Sequence, residues 1–503
     1  MEPNSYSPAY REQPIEEYRG NPLIEALPEI LSEKQAALKM LFKPPFDTGE
    51  RQLPTELRWH LLGRLKHIVV PRRPTFYEVE RTISRLIRTG YVVRNPAEPA
   101  TWRTIYTARN GAATFVDPRL VLTESQAFIV GLSGSGKTTC ADAVLRTYPQ
   151  QVIRHSFWNG RHMPITQLVW LKVTCPKNGS ISSFCREFAR QVDIALNTGG
   201  TYEKDFSKSK MREDMLEGSM RQIAASHFLG LLFIDEIQRL SLAKTGGAIP
   251  LLRFLQDLRT LLRVPVVEIG TSKAAALFSY EMKDARRASE NGPIYFRRPP
   301  KRNKEWDDFV RRVWAYQWVR NATPPDDNML DTVFDLSQSI PDFVVLLFKL
   351  AQQQAMVDES ETITIPLLKQ IYDEYFTLLH SALNKLREGT VESLSIYEDL
   401  LPPEDVIARL TVNRREVEII QDHLDELDPL PEGYTTDNSP SPAADPAQHP
   451  DVVDHESAHV PSTDEFNDGD LRNAGNSSST AEALRNQGSI DADPLGLHSS
   501  AGR

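Results

Sequence analysis

The chain has 503 residues, a net charge of −10 and 40% apolar residues, enough for several domains with cores of their own. No run approaches the roughly 18 apolar residues of a membrane span, the N-terminal MEPNSYSPAYREQPIEEYRG has no apolar secretory core, and Cys140, Cys175 and Cys185 form no CxxC pair, which argues against a disulfide framework or a cysteine zinc site. Thirteen acidic residues against three arginines beyond Pro429 account for the whole net charge, so the body is near neutral and a basic face within it stays open.

Residues 1–50 are rich in Pro and Glu, with short apolar pieces such as PLIEALPEIL, and read as an extended arm with one or two short helices. In residues 53–110, LPTELRWHLLGRLKHIVVP and TFYEVERTISRLIRTGYVV carry apolar residues at helical spacing among many arginines. Phe76, Val79, Ile83, Leu86 and Ile87 fall on one face. Gly90 is expected to end that helix, and YVV to begin an extended segment. Helix, Pro-Arg-Arg turn, helix and strand suggest a small winged or helix-turn-helix unit. An arginine-rich helical surface also suits a solvated or protein-binding face.

From 111 to about 325, strands alternate with helices, the pattern of a parallel sheet with crossover helices. The expected strands are Ala127–Val130, Leu168–Val173, Leu231–Ile234 and Val266–Ile269, the last fed by a helix at Ile249–Leu262. Between the first strand and a helical TTCADAVLRTY lies GLSGSGKTT, residues Gly131 to Thr139. It meets the phosphate-loop pattern G-x-x-x-x-G-K-[ST] at Gly131, Gly136, Lys137 and Thr138. A strand, a glycine loop and a helix in that order aim backbone N–H groups and the positive helix end at one point, where ATP phosphates would sit. Ser133, Gly134, Ser135 and Thr139 complete the cradle. Lys137 would reach the β and γ phosphates, and Thr138 would hold Mg²⁺.

About 100 residues later, LLFIDEIQRL runs from an apolar strand into Asp235 and Glu236, the Walker B arrangement. Asp235 would complete the Mg²⁺ site, and Glu236 would act as general base on the attacking water. At the tip of VVEIGTS, Thr271 or Ser272 would orient that water or act as an ordinary strand-end hydroxyl; Glu268, inside the strand, reads as structural. In KDARRASENGPIYFRRPPKR, Arg286 and Arg287 are candidates for a guanidinium presented to a neighbouring subunit's γ-phosphate, with Arg297 and Arg298 in reserve. A solvated basic loop is the alternative.

Residues 326–390 turn helical, with SIPDFVVLLFKLAQQQAM and IPLLKQIYDEYFTLLHSALNKLREG as amphipathic segments placed to form a lid. Residues 391–428 add one or two helices. Beyond Pro429, Pro, Ser, Asp, Asn and Ala predominate, and too little apolar surface remains to offset ordering entropy. That acidic tail is expected to be disordered.

These motifs resemble the AAA+ ATPases. More closely, VGLSGSGKTT, QLVWLKVTCPKNGSISSFC, LLFIDEIQRL, VPVVEIGTSKA, the ARRASENG loop, VWAYQW and IPDFVVLLFKLAQQQA are similar to the TnsC family of transposition regulators, related to TniB and more distantly to MuB. The resemblance spans roughly residues 50–400. With the segments above, the expected organisation is an α/β P-loop AAA+ parallel-sheet core at 111–325, a helical lid at 326–390, a helical extension at 391–428 and an N-terminal arm with a small, mainly helical, partner-binding domain at 1–110. The resemblance also implies an ATP- and Mg²⁺-dependent ATPase in the bacterial cytoplasm that oligomerises as a ring or filament on duplex DNA. Such a protein links a target selector to transposase subunits and is released on hydrolysis. In that setting Lys177, Asn178, Gly179 and Ser180 would face DNA phosphates, although Pro, Asn and Gly also favour a plain turn. One departure stands out: Asp342 occupies the start of the lid helix, where many AAA+ proteins carry an arginine. Two other classes remain open, a nucleotide-gated protein scaffold without a DNA role and a translocating motor.

Overall fold

The computed structural model describes residues 8–71, 73–107, 126–177, 179–208, 212–240, 264–274 and 293–388. The expected helix at Ile249–Leu262, Asn178, Arg286, Arg287, the helical extension and the acidic tail lie outside the described residues.

Five parallel strands form the central sheet in the order β4-β5-β6-β1-β7: Leu171–Thr174 (β4), Leu232–Asp235 (β5), Val266–Gly270 (β6), Gln126–Gly131 (β1) and Ile294–Phe296 (β7). All but Lys172, Thr174 and Tyr295 are buried, as a sheet covered on both faces requires. The period of two sorts their side chains between two cores. Phe128, Val130, Leu232, Ile234 and Val266 join one, with Phe184 and Phe188 of the helix Ile181–Leu196 and Leu216 and Met220 of the helix Glu213–Ser226. Ala127, Ile129, Leu231, Phe233, Val267 and Ile269 join the other, with Leu23, Ile24, Met40, Ile83 and Leu86 from the N-terminal segment.

The expected strand at Leu168–Val173 is two strands. Val152–Trp158 (β2) and Arg161–Leu168 (β3) pair as an antiparallel hairpin, and β4 begins afterwards at Leu171. One apolar run, LVWLKV, spans the change from hairpin to sheet, and periodicity alone does not mark that corner.

The N-terminal helices differ from expectation in a second way. Pro74–Val92 is one continuous helix, with Pro at its first position as helix geometry favours. It runs through Gly90 into Tyr91 and Val92, so the expected stop and strand are replaced by helix. Gly90 serves packing: a Cβ there would lie 2.8 Å from ring carbons of Pro265. Eleven of the helix's 19 residues are buried, and its predicted apolar face sits in the second core. An independent winged unit with a free reading helix is therefore absent at this helix.

Helices resume at Lys304, with Lys304–Trp314, Asp327–Ser337, Pro341–Val357, Ile365–Tyr375 and His380–Glu388 around a third core. The long segment expected after Thr364 is thus two helices. Leu62, Leu65 and Ile68 from the N-terminal segment enter the same core. A buried ion pair fixes that crossing: both terminal nitrogens of Arg58 donate to the Glu361 carboxylate at 2.7 Å, and Arg58 also donates to the Trp318 carbonyl. No helix among the described residues is long and apolar enough to cross a membrane.

Surface ion pairs contribute about 0–1 kcal/mol, whereas removing one partner of a buried pair costs roughly 3–5 kcal/mol. The Arg58 hydrogen bonds hold the Glu361 carboxyl below the ordinary glutamate range, with burial opposing them. Its contribution is therefore full above the unfolded-state value and is lost as pH falls through the depressed folded-state value. Glu361→Gln should lower stability by about 3 kcal/mol at neutral pH. It should also flatten the acid side of the stability profile, read from urea midpoints between pH 3 and 7.

Candidate nucleotide site

The loop after β1 meets the ends of β5 and β6 because all three strands run parallel and end at one edge of the sheet. Gly134 and Gly136 have φ of +76° and +96°, values that L residues rarely adopt. The helix Lys137–Leu145 begins at Gly136 with no side-chain cap, so its first N–H groups are not capped by a side chain. Ser135 Oγ is buried without a hydrogen-bond partner among the described residues. Lys137 Nζ donates to the carbonyls of Gly131 and Leu132 at 2.8 Å each.

Across the edge, the Thr138 hydroxyl lies 3.3 and 3.5 Å from the two Asp235 carboxylate oxygens. The two residues expected to share a metal thus adjoin, and a hydroxyl beside a carboxylate suits a hard divalent cation such as Mg²⁺. Lys172 of β4 lies 3.5 Å from Asp235 and 2.7 Å from Asp142. Nothing in the local strand pattern marks this lysine.

Glu236 sits at φ +61°, an unusual conformation for a non-glycine residue and a form of local strain found at functional sites. Its N–H donates to Asp235 at 2.9 Å. Gln238 Nε2 donates to the Glu236 carboxylate at 3.0 Å, while Gln238 Oε1 accepts the Thr271 N–H at 3.2 Å. Gln238 therefore ties the acid pair to the tip of β6. Gly270 permits this: a Cβ there would lie 2.9 Å from Gln238 Oε1. Arg239 reaches Glu236 at 3.5 Å and donates to the Cys175 carbonyl at 3.2 Å.

A cavity of about 500 Å³ collects these groups, a volume ordinary for a small-molecule site. Ser133 to Thr139, Asp235, Glu236, Gln238 and Thr271 line it. Of the two candidate hydroxyls, Thr271 lines the cavity, while Ser272 is fully buried at the start of a 3-10 turn. Glu268 accepts from Gln126 at 2.9 Å inside the sheet, consistent with a structural role.

The remaining wall comes from residues with no phosphate motif. Ile68, Val69, Val70, Phe76, Phe309 and Val345 supply an apolar side, and Lys66 and Arg73 supply cations. Burial draws Arg73 below the ordinary arginine range, and Glu305 opposes that shift. Asp342 lines the cavity from the lid helix, and its N–H donates to the Gly134 carbonyl at 3.3 Å. No arginine stands at the start of that helix; Arg73 brings a guanidinium to the same cavity from the opposite end of the sequence. The sequence signal is the basic turn ahead of the Pro74 helix, from which the fold brings Arg73 to the site.

Other expected residues lie elsewhere. Arg297 stacks 5.1 Å over the Tyr295 ring, and Arg298 donates to the Leu386 carbonyl at 2.6 Å. Ser180 caps the helix Ile181–Leu196 by accepting from the Ser183 N–H, Gly179 has φ +63°, and Lys177 is exposed. The three cysteines are free and buried. Burial pushes the Cys175 thiol up to about 12, so it stays protonated at neutral pH.

The sheet, glycine loop and acid pair coincide with a family match. Residues 122–278 match the model of the AAA domain. The chain carries a P-loop AAA+ core. No curated protein matches the chain. Among solved structures, the Walker-type ATPase of Pyrococcus abyssi is 13% identical over 60% of this chain and 85% of its own, with a TM-score of 0.34. Cdc6p from Pyrobaculum aerophilum is 13% identical over 71% and 88%, at 0.38. The ADP form of ORC2 from Aeropyrum pernix is 14% identical over 67% and 86%, at 0.33.

The donor set of the AAA+ core fits a polyphosphate. Lys137 carries the one lysine charge inside the loop, and Lys137→Ala should weaken nucleotide binding by at least a hundredfold. Titration with a fluorescent ATP analogue checks this, and near-wild-type affinity would remove the loop from the site.

Proposed function

We propose that the protein is an ATP-dependent switch that assembles on duplex DNA and regulates transposition. In this reading it links a target-selecting protein to transposase subunits and leaves the DNA after ATP hydrolysis. The ATPase half is carried by one observation: Thr138, Asp235, Glu236 and Thr271 face a single cavity floored by the glycine loop. The DNA and transposition half rests on the resemblance of the CPKNGS and YQW segments and the nucleotide motifs to the TnsC family.

ATP phosphates would lie on the Ser133–Thr139 backbone, with Lys137 on the β and γ oxygens. Mg²⁺, when bound, would be held by Thr138 and Asp235 and would neutralise charge on the terminal phosphates. Glu236 would take a proton from the attacking water, oriented by Gln238 and Thr271. The apolar wall of Val69, Phe76 and Phe309 suits a purine ring. Lys177 would contact DNA backbone without reading sequence. Arg286 and Arg287 remain the candidates for action across a subunit boundary.

A protein scaffold gated by nucleotide, with no DNA role, would use the same cavity. The two readings separate when duplex DNA binding and particle size are measured with ADP, ATP and a non-hydrolysable analogue. Large DNA-bound assemblies with triphosphate alone are expected; no duplex binding in any nucleotide state would leave the scaffold reading. Glu236→Gln should keep ATP binding, lower turnover by roughly a hundredfold or more and hold the DNA-bound assembly together. Dissociation of that variant in ATP at the wild-type rate would show that hydrolysis is not the release step.

A further inference from the structure

Between Asp142 and Glu187 the sequence contains no Asp or Glu, in a chain with 68 acidic residues among 503. The same stretch holds Arg146, Arg154, Arg161, Lys172, Lys177 and Arg186. The fold uses three of these internally. Lys172 pairs with Asp142 and Asp235, Arg186 donates to the Phe206 carbonyl, and Arg146 lies over the Phe42 ring. Arg154 and Arg161 are left on the hairpin β2–β3, both exposed and neither ion-paired among the described residues.

The hairpin is two-faced. Ile153, His155, Trp158, Met163 and Ile165 are buried against the N-terminal arm. Trp158 Nε1 donates to Glu25 at 2.7 Å, Tyr10 and His155 are hydrogen-bonded at 2.8 Å, and Gln167 donates to the Leu23 carbonyl at 2.9 Å. The other face presents Arg154, Ser156, His162 and Pro164 to solvent, with Arg161 at the turn. Phe157 is 62% exposed, its ring 5.3 Å from that of His162 across the strands. Asn159 and Gly160 form the turn at φ 47° and 75°, the left-handed pair that matches the twist of a two-residue hairpin. The tip is therefore ordered by its backbone and anchored by its inner face, with Arg154 exposed on the outer face and Arg161, paired with Trp158, exposed beside the turn on the inner side.

We propose that this hairpin is a second duplex-DNA contact, distinct from the turn at Lys177, with Arg154 and Arg161 on backbone phosphates. The inference rests on the DNA reading above and adds an element to it. A two-stranded ribbon fits the major groove, and guanidinium groups suit bidentate phosphate contacts. The exposed Phe157 ring, against His162 near the turn, would supply apolar contact to sugar or base edges. Packing against residues 10–25 fixes the ribbon before DNA arrives, so little ordering entropy opposes binding.

The test uses the full chain, a labelled duplex of arbitrary sequence and a non-hydrolysable ATP analogue, with affinity followed across a KCl series. Each phosphate contact contributes about 0.9 to the slope of log affinity against log salt. The double variant Arg154→Ala/Arg161→Ala should flatten that slope by about 2 and weaken binding on the order of tenfold. Its ATP binding without DNA should match wild type, and Arg154→Lys/Arg161→Lys should restore most of the slope. An unchanged slope and affinity in the alanine variant would overturn the hairpin contact while leaving the DNA reading intact. So would a loss that the lysine variant fails to recover. Absence of duplex binding by the wild type would overturn both.

Discussion

The register of three parallel strands is the constraint on which the site depends. Phe128 of β1 pairs with Glu268 of β6, and Glu268 pairs with Ile234 of β5. That row fixes how far each strand runs before its chain leaves the sheet. The glycine loop, Asp235 and Thr271 then emerge together, although more than 130 residues separate the first from the last. A slip of one residue would reverse every side chain between the two cores, so burial on both faces holds the register. Phe128 and Ile129 already belong to different cores.

The second organising feature is the way the N-terminal segment is shared. Its helix Pro74–Val92 packs in the core beneath the sheet, while Leu62, Leu65 and Ile68 pack with the C-terminal helices. Between them, Ile68, Val69, Val70 and Arg73 form a wall of the nucleotide cavity. Arg58 and Glu361 secure one side of that wall, and the Asp342 N–H bond to Gly134 joins the lid helix to the phosphate loop. Cavity closure thus depends on packing from both ends of the described chain. An apolar wall with Lys66 and Arg73 among it suits a ligand with a flat apolar part and an anionic part.

Polar groups at the cavity are linked in series. Gln238 joins Glu236 to Thr271, and Arg239 joins Glu236 to the carbonyl of Cys175. Cys175 opens the segment that leads to Lys177 and Ser180. The acid proposed to activate water is therefore held between the β6 tip and the turn proposed to meet DNA. A left-handed backbone at Glu236 persists because these neighbours over-determine it.

Local signals carried much of this. The glycine loop was legible because its backbone demands are local: left-handed glycines, a strand before and a helix after. Asp235 and Glu236 were legible because an apolar run ending in acids marks a buried strand reaching a functional edge. The helix at Pro341 was legible from its period. Gly90 misled, because a helical glycine can mark a stop or a close approach, and only Pro265, 175 residues away in sequence, decides which. The hairpin at 152–168 was hidden because its second strand runs without a polar break into β4. Arg73, Lys66 and Phe309 carried no motif, since cavity walls are set by which distant segments pack together. Sequence determined the nucleotide chemistry, whose geometry is built from consecutive residues; tertiary structure decided the register that assembles it and the distant segments that enclose it, because those depend on contacts no local pattern encodes.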